Sequence, residues 1–226
     1  MKKKYSFLII FFLLFSFSYS QITSFPHSVS FENASDLGTT AANTSSKWTT
    51  ATSGSTAYSS SFEGTITFAR ESNPADTPSS GTGPSSASDG STWVIIESSG
   101  HAGEKAEMAA VYDFSGRTGA QITFDFHNYS SNGGAYGPAT AALWVYNTET
   151  YAWKQNWVTT NNSSSWQSVS VDLSEYDDMI VELWFTATVV EWQSDFALDN
   201  IVVSSNAYSA NSVTTYYVDD KQQQHH

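Results

Sequence analysis

Hydrophobic and polar residues alternate over short stretches through most of the chain. Residues 64–69 put Ile66 and Phe68 on one side, and residues 121–126 put Ile122, Phe124 and Phe126 opposite Thr123 and Asp125. Residues 93–97 form a brief apolar run, and 139–146, 166–173, 180–188 and 196–203 continue the series. These stretches are rich in Val, Ile, Thr and aromatics and are bounded by Ser, Asn, Asp and Gly, the marks of strands and turns. No stretch sustains a helical period beyond about ten residues. The pattern therefore predicts an all-β protein, an antiparallel sandwich or barrel. Residues 33–62 and 72–90 read as long polar connections, the second carrying Pro74, Pro78 and Pro84, which would interrupt a central strand.

The first twenty residues follow a different rule. Lys2, Lys3 and Lys4 precede an apolar run over 7–15, and Ser18-Tyr19-Ser20 offers small residues for cleavage before Gln21. This predicts a signal peptide over 1–20, since the run is too short for the ~20 residues of a membrane span. The expected organisation is a leader, one domain over 21–205, and a polar tail over 206–226. In that tail Tyr216, Tyr217 and Val218 could add an edge strand, and disorder is expected after Asp219. His225 and His226 read as part of this tail, not as a ligand pair. The protein is expected to be secreted, extracellular or at the cell surface.

Composition narrows the partners. Three of the nine Lys and Arg lie in the leader, leaving six against 22 Asp and Glu, a mature charge of −16. A nucleic-acid partner needs clustered basic residues and is excluded by this balance. The chain has no cysteine, which removes disulfides, thiolate metal sites and a cysteine nucleophile. The partner expected is an extracellular protein or a glycan; the oligomeric state is not legible.

Four segments together resemble the MAM domain, the adhesion module of meprin and receptor tyrosine phosphatases, in the form found in secreted proteins of Bacteroidetes-type bacteria. They are Phe25-Pro26-His27-Ser28-Val29-Ser30-Phe31-Glu32; Thr77-Pro78-Ser79-Ser80-Gly81-Thr82-Gly83-Pro84 continuing through Asp89-Gly90-Ser91 to Glu97-Ser98-Ser99; Ile122-Thr123-Phe124-Asp125-Phe126-His127-Asn128-Tyr129; and Trp192-Gln193-Ser194-Asp195-Phe196-Ala197-Leu198-Asp199-Asn200-Ile201. The resemblance implies a jelly-roll sandwich of two antiparallel sheets and a role in adhesion or accessory binding. A jelly roll of that kind would run its first and last strands side by side and bring Glu32 near Asp199, with Asp89 joining from the Asp-Gly turn and Asp195 a more distant candidate. Calcium, which takes roughly six to eight oxygens, is the ion such carboxylates would hold.

Aromatic residues suggest a second kind of site. Trp144, Tyr146, Tyr151, Trp153 and Trp157 fall close together on an expected hairpin, and exposed aromatic faces can stack on sugar rings. Trp144 reads as core because its strand is apolar, whereas Tyr151, Trp153 and Trp157 are the candidate ligand-binding residues. Trp192 sits in a resembling segment and reads as structural. Catalysis finds no support: no nucleophile elbow, zinc helix or phosphate loop occurs. Glu191 and Asp195 read as a loop beside the closing strand, and His127 as a hydrogen-bond partner for the nearby Asp125. The expected function is a non-catalytic adhesion or ligand-binding module. The alternatives are a carbohydrate-binding module serving polysaccharide breakdown and a self-associating surface protein. Asn-X-Ser/Thr triplets at Asn33, Asn43, Asn128, Asn161 and Asn162 are glycan acceptors only in a eukaryotic secretory route.

Overall fold

The computed structural model describes residues 21–39, 47–73, 82–131 and 136–208. Residues 1–20, where a leader is expected, and residues 209–226, with the edge strand expected at Tyr216, Tyr217 and Val218, lie outside the described residues. Among the described residues twelve strands form two six-stranded sheets, and the only helical elements are short 3-10 turns. This is the all-β jelly-roll sandwich that the pattern and the resemblance led us to expect.

The first sheet contains β1 (His27–Val29), β4 (Ala69–Glu71), β5 (Trp93–Ile96), β7 (Arg117–Asn128), β10 (Ser163–Asp172) and β12 (Phe196–Ala207). Its order is β10-β7-β12-β5-β4, with β1 also paired to β12. His27 opposes Val203 and Val29 opposes Ile201, so the first described strand lies antiparallel to the last. The second sheet contains β2 (Leu37–Gly38), β3 (Trp48–Thr50), β6 (Lys105–Asp113), β8 (Thr140–Asn147), β9 (Ala152–Thr159) and β11 (Ile180–Thr188), ordered β2-β3-β6-β11-β8-β9. All pairs are antiparallel except the two-residue contact of β2 with β3.

Alternation decides which side chains fill the space between the sheets. Ile122, Phe124 and Phe126 of β7 meet Val181, Leu183 and Phe185 of β11 in one continuous core. Phe124 and Phe185 touch edge to face, with ring centroids 4.7 Å apart. A fully buried Leu or Phe such as Leu183 or Phe185 stabilises the fold by ~1.5–3 kcal/mol.

One strand went unread. β6 (Lys105–Asp113) contains Ala106, Ala109 and Ala110, a composition poor in β-formers, yet it pairs with β11 along nine positions. Neighbours on both sides bury it, and small side chains suit that crowded place. The expected strand at 64–69 is also displaced: residues 64–68 form no strand beyond an Ile66–Ala106 bridge, and the strand proper is β4 (Ala69–Glu71).

Candidate functional site

Each sheet has an outer face, and the two are used differently. On the first sheet, residues 82–92 cross the outer face as a strap held by carboxylates. Asp195 Oδ2 accepts from Thr82 Oγ1 at 2.5 Å, and Asp125 Oδ2 accepts from Ser88 Oγ at 2.7 Å. Asp199 Oδ2 accepts the backbone N–H groups of Ser88 and Asp89 at 2.8 and 2.9 Å. Glu32 Oε1 accepts those of Ser91 and Thr92 at 2.8 and 2.7 Å, while its Oε2 takes Ser91 Oγ at 2.9 Å. Two backbone features bring the parts together. Asn200, at φ 49°, lies in the register shift of β12 against β7, and this bulge keeps Asp199 on the outer face while Ile201 returns to the core. Gly90, at φ +68°, passes so close to Glu32 that a Cβ there would sit 2.6 Å from Oε1.

Glu32, Asp89 and Asp199, the expected calcium ligands, thus converge on one turn. The carboxylates of Glu32 and Asp199 serve as acceptors for it, and Arg70 donates to the Phe31 and Glu32 carbonyls. Among the described residues no three His, Asp or Glu side chains are grouped to hold a metal ion. An ion at this turn would have to displace backbone donors. The hydrogen bonds from Ser91 hold the Glu32 carboxyl below its usual range, whereas burial pushes Asp199 up to about 6 against the N–H groups that favour its charge.

Asp125 and His127 share a face, as expected, but do not serve each other. Asp125 turns to Ser88, Ser168 and Asn200. The His127 ring packs near Trp166 and Tyr129. Burial depresses its pKa, opposed by a bond to the Ser164 backbone, and its Nδ1 is buried without a partner.

The second sheet's outer face is open along part of its width. A groove of about 490 Å³ runs over β6, β11, β8 and β9, within the roughly 300–1,000 Å³ of small-molecule sites. Its floor includes Trp184 and Trp144, directly opposed across β11 and β8, and its rim on β9 is Trp153, 46% exposed. The Trp153 and Trp184 rings meet edge to face at 5.6 Å. Gln155, Thr140, Thr186 and Thr188 supply uncharged hydrogen-bonding groups along it.

The opposite wall comes from residues 51–65. Glu182, buried in the middle of β11, accepts from the Ser59 N–H at 2.5 Å, from Ser60 Oγ, and from Trp184 Nε1 at 2.8 Å. Burial pushes its carboxyl above the usual range, and those donors oppose the shift. Phe62 then packs on Trp184 with centroids 4.6 Å apart. Further along, Glu107 Oε2 accepts the Glu63 and Gly64 N–H groups at 2.6 and 2.9 Å. Lys105 Nζ lies 2.8 Å from Glu107 and 3.2 Å from Glu63. Burial works against the Lys105 charge, but the two carboxylates outweigh it and hold the ammonium above its usual range.

The aromatic expectations divide accordingly. Trp153 lines the groove. Trp157 does not, because the β8–β9 ladder shifts register between Leu143 and Trp144, with Leu143 opposite Trp157 and Trp144 opposite Gln155. The extra residue, Asn156, turns Trp157 inward onto Phe124 and Phe126 at 5.0 and 5.2 Å. Tyr151 is 74% exposed in the hairpin turn, at φ 56°, and is not part of the lining. Trp144, expected in the main core, is half-buried on the outer face beside Trp184. Trp192, expected to be structural, is 40% exposed against Tyr136. The signal for the wall was a lone glutamate, Glu182, inside an otherwise apolar strand.

No family model matches the chain and no curated protein matches it, so the likeness to the MAM family rests on the quoted segments. Among solved structures, the K2 adhesin domain of Lys-gingipain is similar at 18% identity and a TM-score of 0.48, over 78% of this chain and 98% of that one. The K1 adhesin domain of Lys-gingipain from Porphyromonas gingivalis W83 is similar at 15% identity and 0.48, over 80% and 98%. The CBM22-1 xylan-binding domain from Paenibacillus barcinonensis is similar at 12% identity and 0.46, over 80% and 94%. At these identities the likeness is one of fold: the chain is similar to β-sandwich adhesin and carbohydrate-binding modules.

Proposed function

We propose that this protein is an extracellular, non-catalytic binding module whose ligand is a glycan, held in the groove on the second sheet. The observation that carries the reading is Trp153 standing half-exposed at the rim of a groove floored by Trp144 and Trp184. Sugar C–H faces stack on exposed rings such as that of Trp153, backed by the buried Trp184, and hydroxyls find partners in Gln155 and the threonines. Catalysis fits this groove poorly. Glu107 is buried and held on both oxygens by Lys105 and two backbone N–H groups, the setting of a structural acceptor. The leader pattern supports a place outside the cytoplasm. Titration calorimetry of neutral oligosaccharides tests the reading: binding that Trp153→Ala weakens strongly supports it, and heat-silent titrations across a broad panel refute it.

Calcium at Glu32, Asp89 and Asp199 is a separate proposal, favoured by one observation. Burial and the neighbouring Asp89 charge both raise Asp199, and a cation beside them would oppose both effects. Melting curves in millimolar calcium and in chelator decide it. A higher Tm with calcium supports the ion, and superimposable curves refute it.

A further inference from the structure

Tyr136 and Trp192 lie beyond the groove's lining, yet the register puts them at one end of it. Thr140 and Thr188 oppose each other in the β8–β11 ladder, and both line the groove. Tyr136 precedes Thr140 by four residues and Trp192 follows Thr188 by four, so the two segments leave the sheet at the same end. Past Thr188, Val189 turns into the core and Val190 turns outward. Ser194 ties the two loops together. Its Oγ donates to the Gly137 carbonyl at 2.9 Å and accepts the Val190 and Glu191 N–H groups at 3.0 and 2.9 Å. So fixed, the Tyr136 and Trp192 rings meet at 6.1 Å and 64°, each 40% exposed.

Single exposed aromatics are ordinary on a protein surface, but a rigidly held pair continuing a groove marks a contact site. We propose that Tyr136 and Trp192 form a distal stacking platform, so that the site takes a linear, neutral oligosaccharide lying along the strands. The inference rests on the groove being a glycan site. The strand from Trp184 to Thr188 spans roughly 13 Å before the loop that carries Trp192 begins, which is more than one sugar needs. Between the two tryptophans the lining offers Thr140, Thr186 and Thr188, uncharged partners for hydroxyl groups. Glu63, Lys105 and Glu107 together leave one negative charge beside the path, and the chain without its expected leader carries −16. An anionic polysaccharide would be repelled.

The experiment uses β-1,4-linked gluco-, xylo-, manno- and galacto-oligosaccharides, from disaccharide to hexasaccharide, titrated into the wild type and three variants. In the series that binds, affinity is expected to rise with length. Trp192→Ala and Tyr136→Ala should each lower hexasaccharide affinity roughly tenfold while leaving the disaccharide within about twofold. Trp153→Ala should weaken every length alike. The platform is overturned if both distal variants leave the hexasaccharide unaffected, or weaken disaccharide and hexasaccharide by one factor. If no series binds, or Trp153→Ala changes nothing, the groove reading fails and the platform with it. Tyr136→Ala keeps the test open should Trp192→Ala not fold.

Discussion

The wall of the groove depends on a buried carboxylate, and Ser60→Ala probes it with little change of shape. Glu182 is fully buried and takes three donors, one of them the Ser60 hydroxyl. Removing that hydroxyl leaves the Ser59 N–H and the Trp184 indole in place and strips one hydrogen bond from a buried charge, a loss of about 1.5–3 kcal/mol. For a domain of this size each kcal/mol moves Tm by roughly 2–4 °C, so a drop of roughly 3–12 °C is expected. The pH dependence separates this cause from general damage. Burial raises the folded-state pKa of Glu182 above its unfolded value. Its contribution to stability is therefore full below the ordinary carboxylate pKa and is lost as pH rises through the raised one. Ser60 serves the ionised form, so the deficit of Ser60→Ala should be largest near pH 8 and shrink towards pH 5. Thermal melts of both proteins across that window measure it. An equal deficit at both ends, or none, would refute the assignment of Glu182 as the anchor of the wall.

Trp153→Ala should cost the glycan complex about 2 kcal/mol or more, a loss of roughly thirtyfold, with a modest fall in Tm. Trp157→Ala should do the reverse, lowering Tm strongly through a cavity worth roughly 3 kcal/mol while acting on affinity only through the fold; equal affinity losses in the two variants would contradict the bulge at Asn156. Gly90→Ala forces an alanine into the left-handed region, costing about 1–2 kcal/mol, and presses its Cβ on Glu32. The cost should be smaller in a Glu32→Ala background, and strict additivity in the double-mutant cycle would refute the contact. Asp199, raised by burial to about 6, contributes stability that is present below its unfolded pKa and is lost as pH rises through about 6. Tm should therefore fall more steeply between about pH 5 and pH 7 in the wild type than in Asp199→Asn; parallel curves would refute it.

The parts of the fold that were legible in the sequence are those where alternation is strong and one face is apolar. β11 (Ile180–Thr188) matches the expected stretch at both ends, because Val181, Leu183, Phe185 and Ala187 all face the core. β6 was invisible for the opposite reason: its alanines carry little strand signal, and what holds it is pairing with β3 and β11 on either side. The site was legible only at Trp153. Whether Trp157 follows Trp153 outward depends on one inserted residue in a ladder, which pattern alone does not encode. Trp144 sits in an apolar strand and reads as core, yet it is only half-buried on the outer face, while Trp184 beside it is closed over by Phe62 and Trp153. Lys105 and Glu107, two apart on β6, share a face by strand alternation, whereas Glu63 joins them only because a loop docks.

The two outer faces explain why a ligand should choose the second sheet. On the first, the strap 82–92 is clasped by Asp195, Asp125, Asp199 and Glu32, and Ala87 and Trp166 cover Trp93, Ile95 and Ala197. Opening that face would break several charge-assisted hydrogen bonds and expose apolar surface together, so it is closed to a glycan of ordinary affinity. On the second, the loop 51–65 is held at Glu182 and Glu107 and covers Ala109 and Trp184 from the β6 side. It stops short of β9, where Trp153 and Gln155 face water. Hydrogen-bonding groups that are fixed but not consumed, beside aromatic faces that are supported but not covered, occur together on this side among the described residues. A rigid floor of this kind loses little freedom when it binds, which lets weak sugar contacts add up to useful affinity.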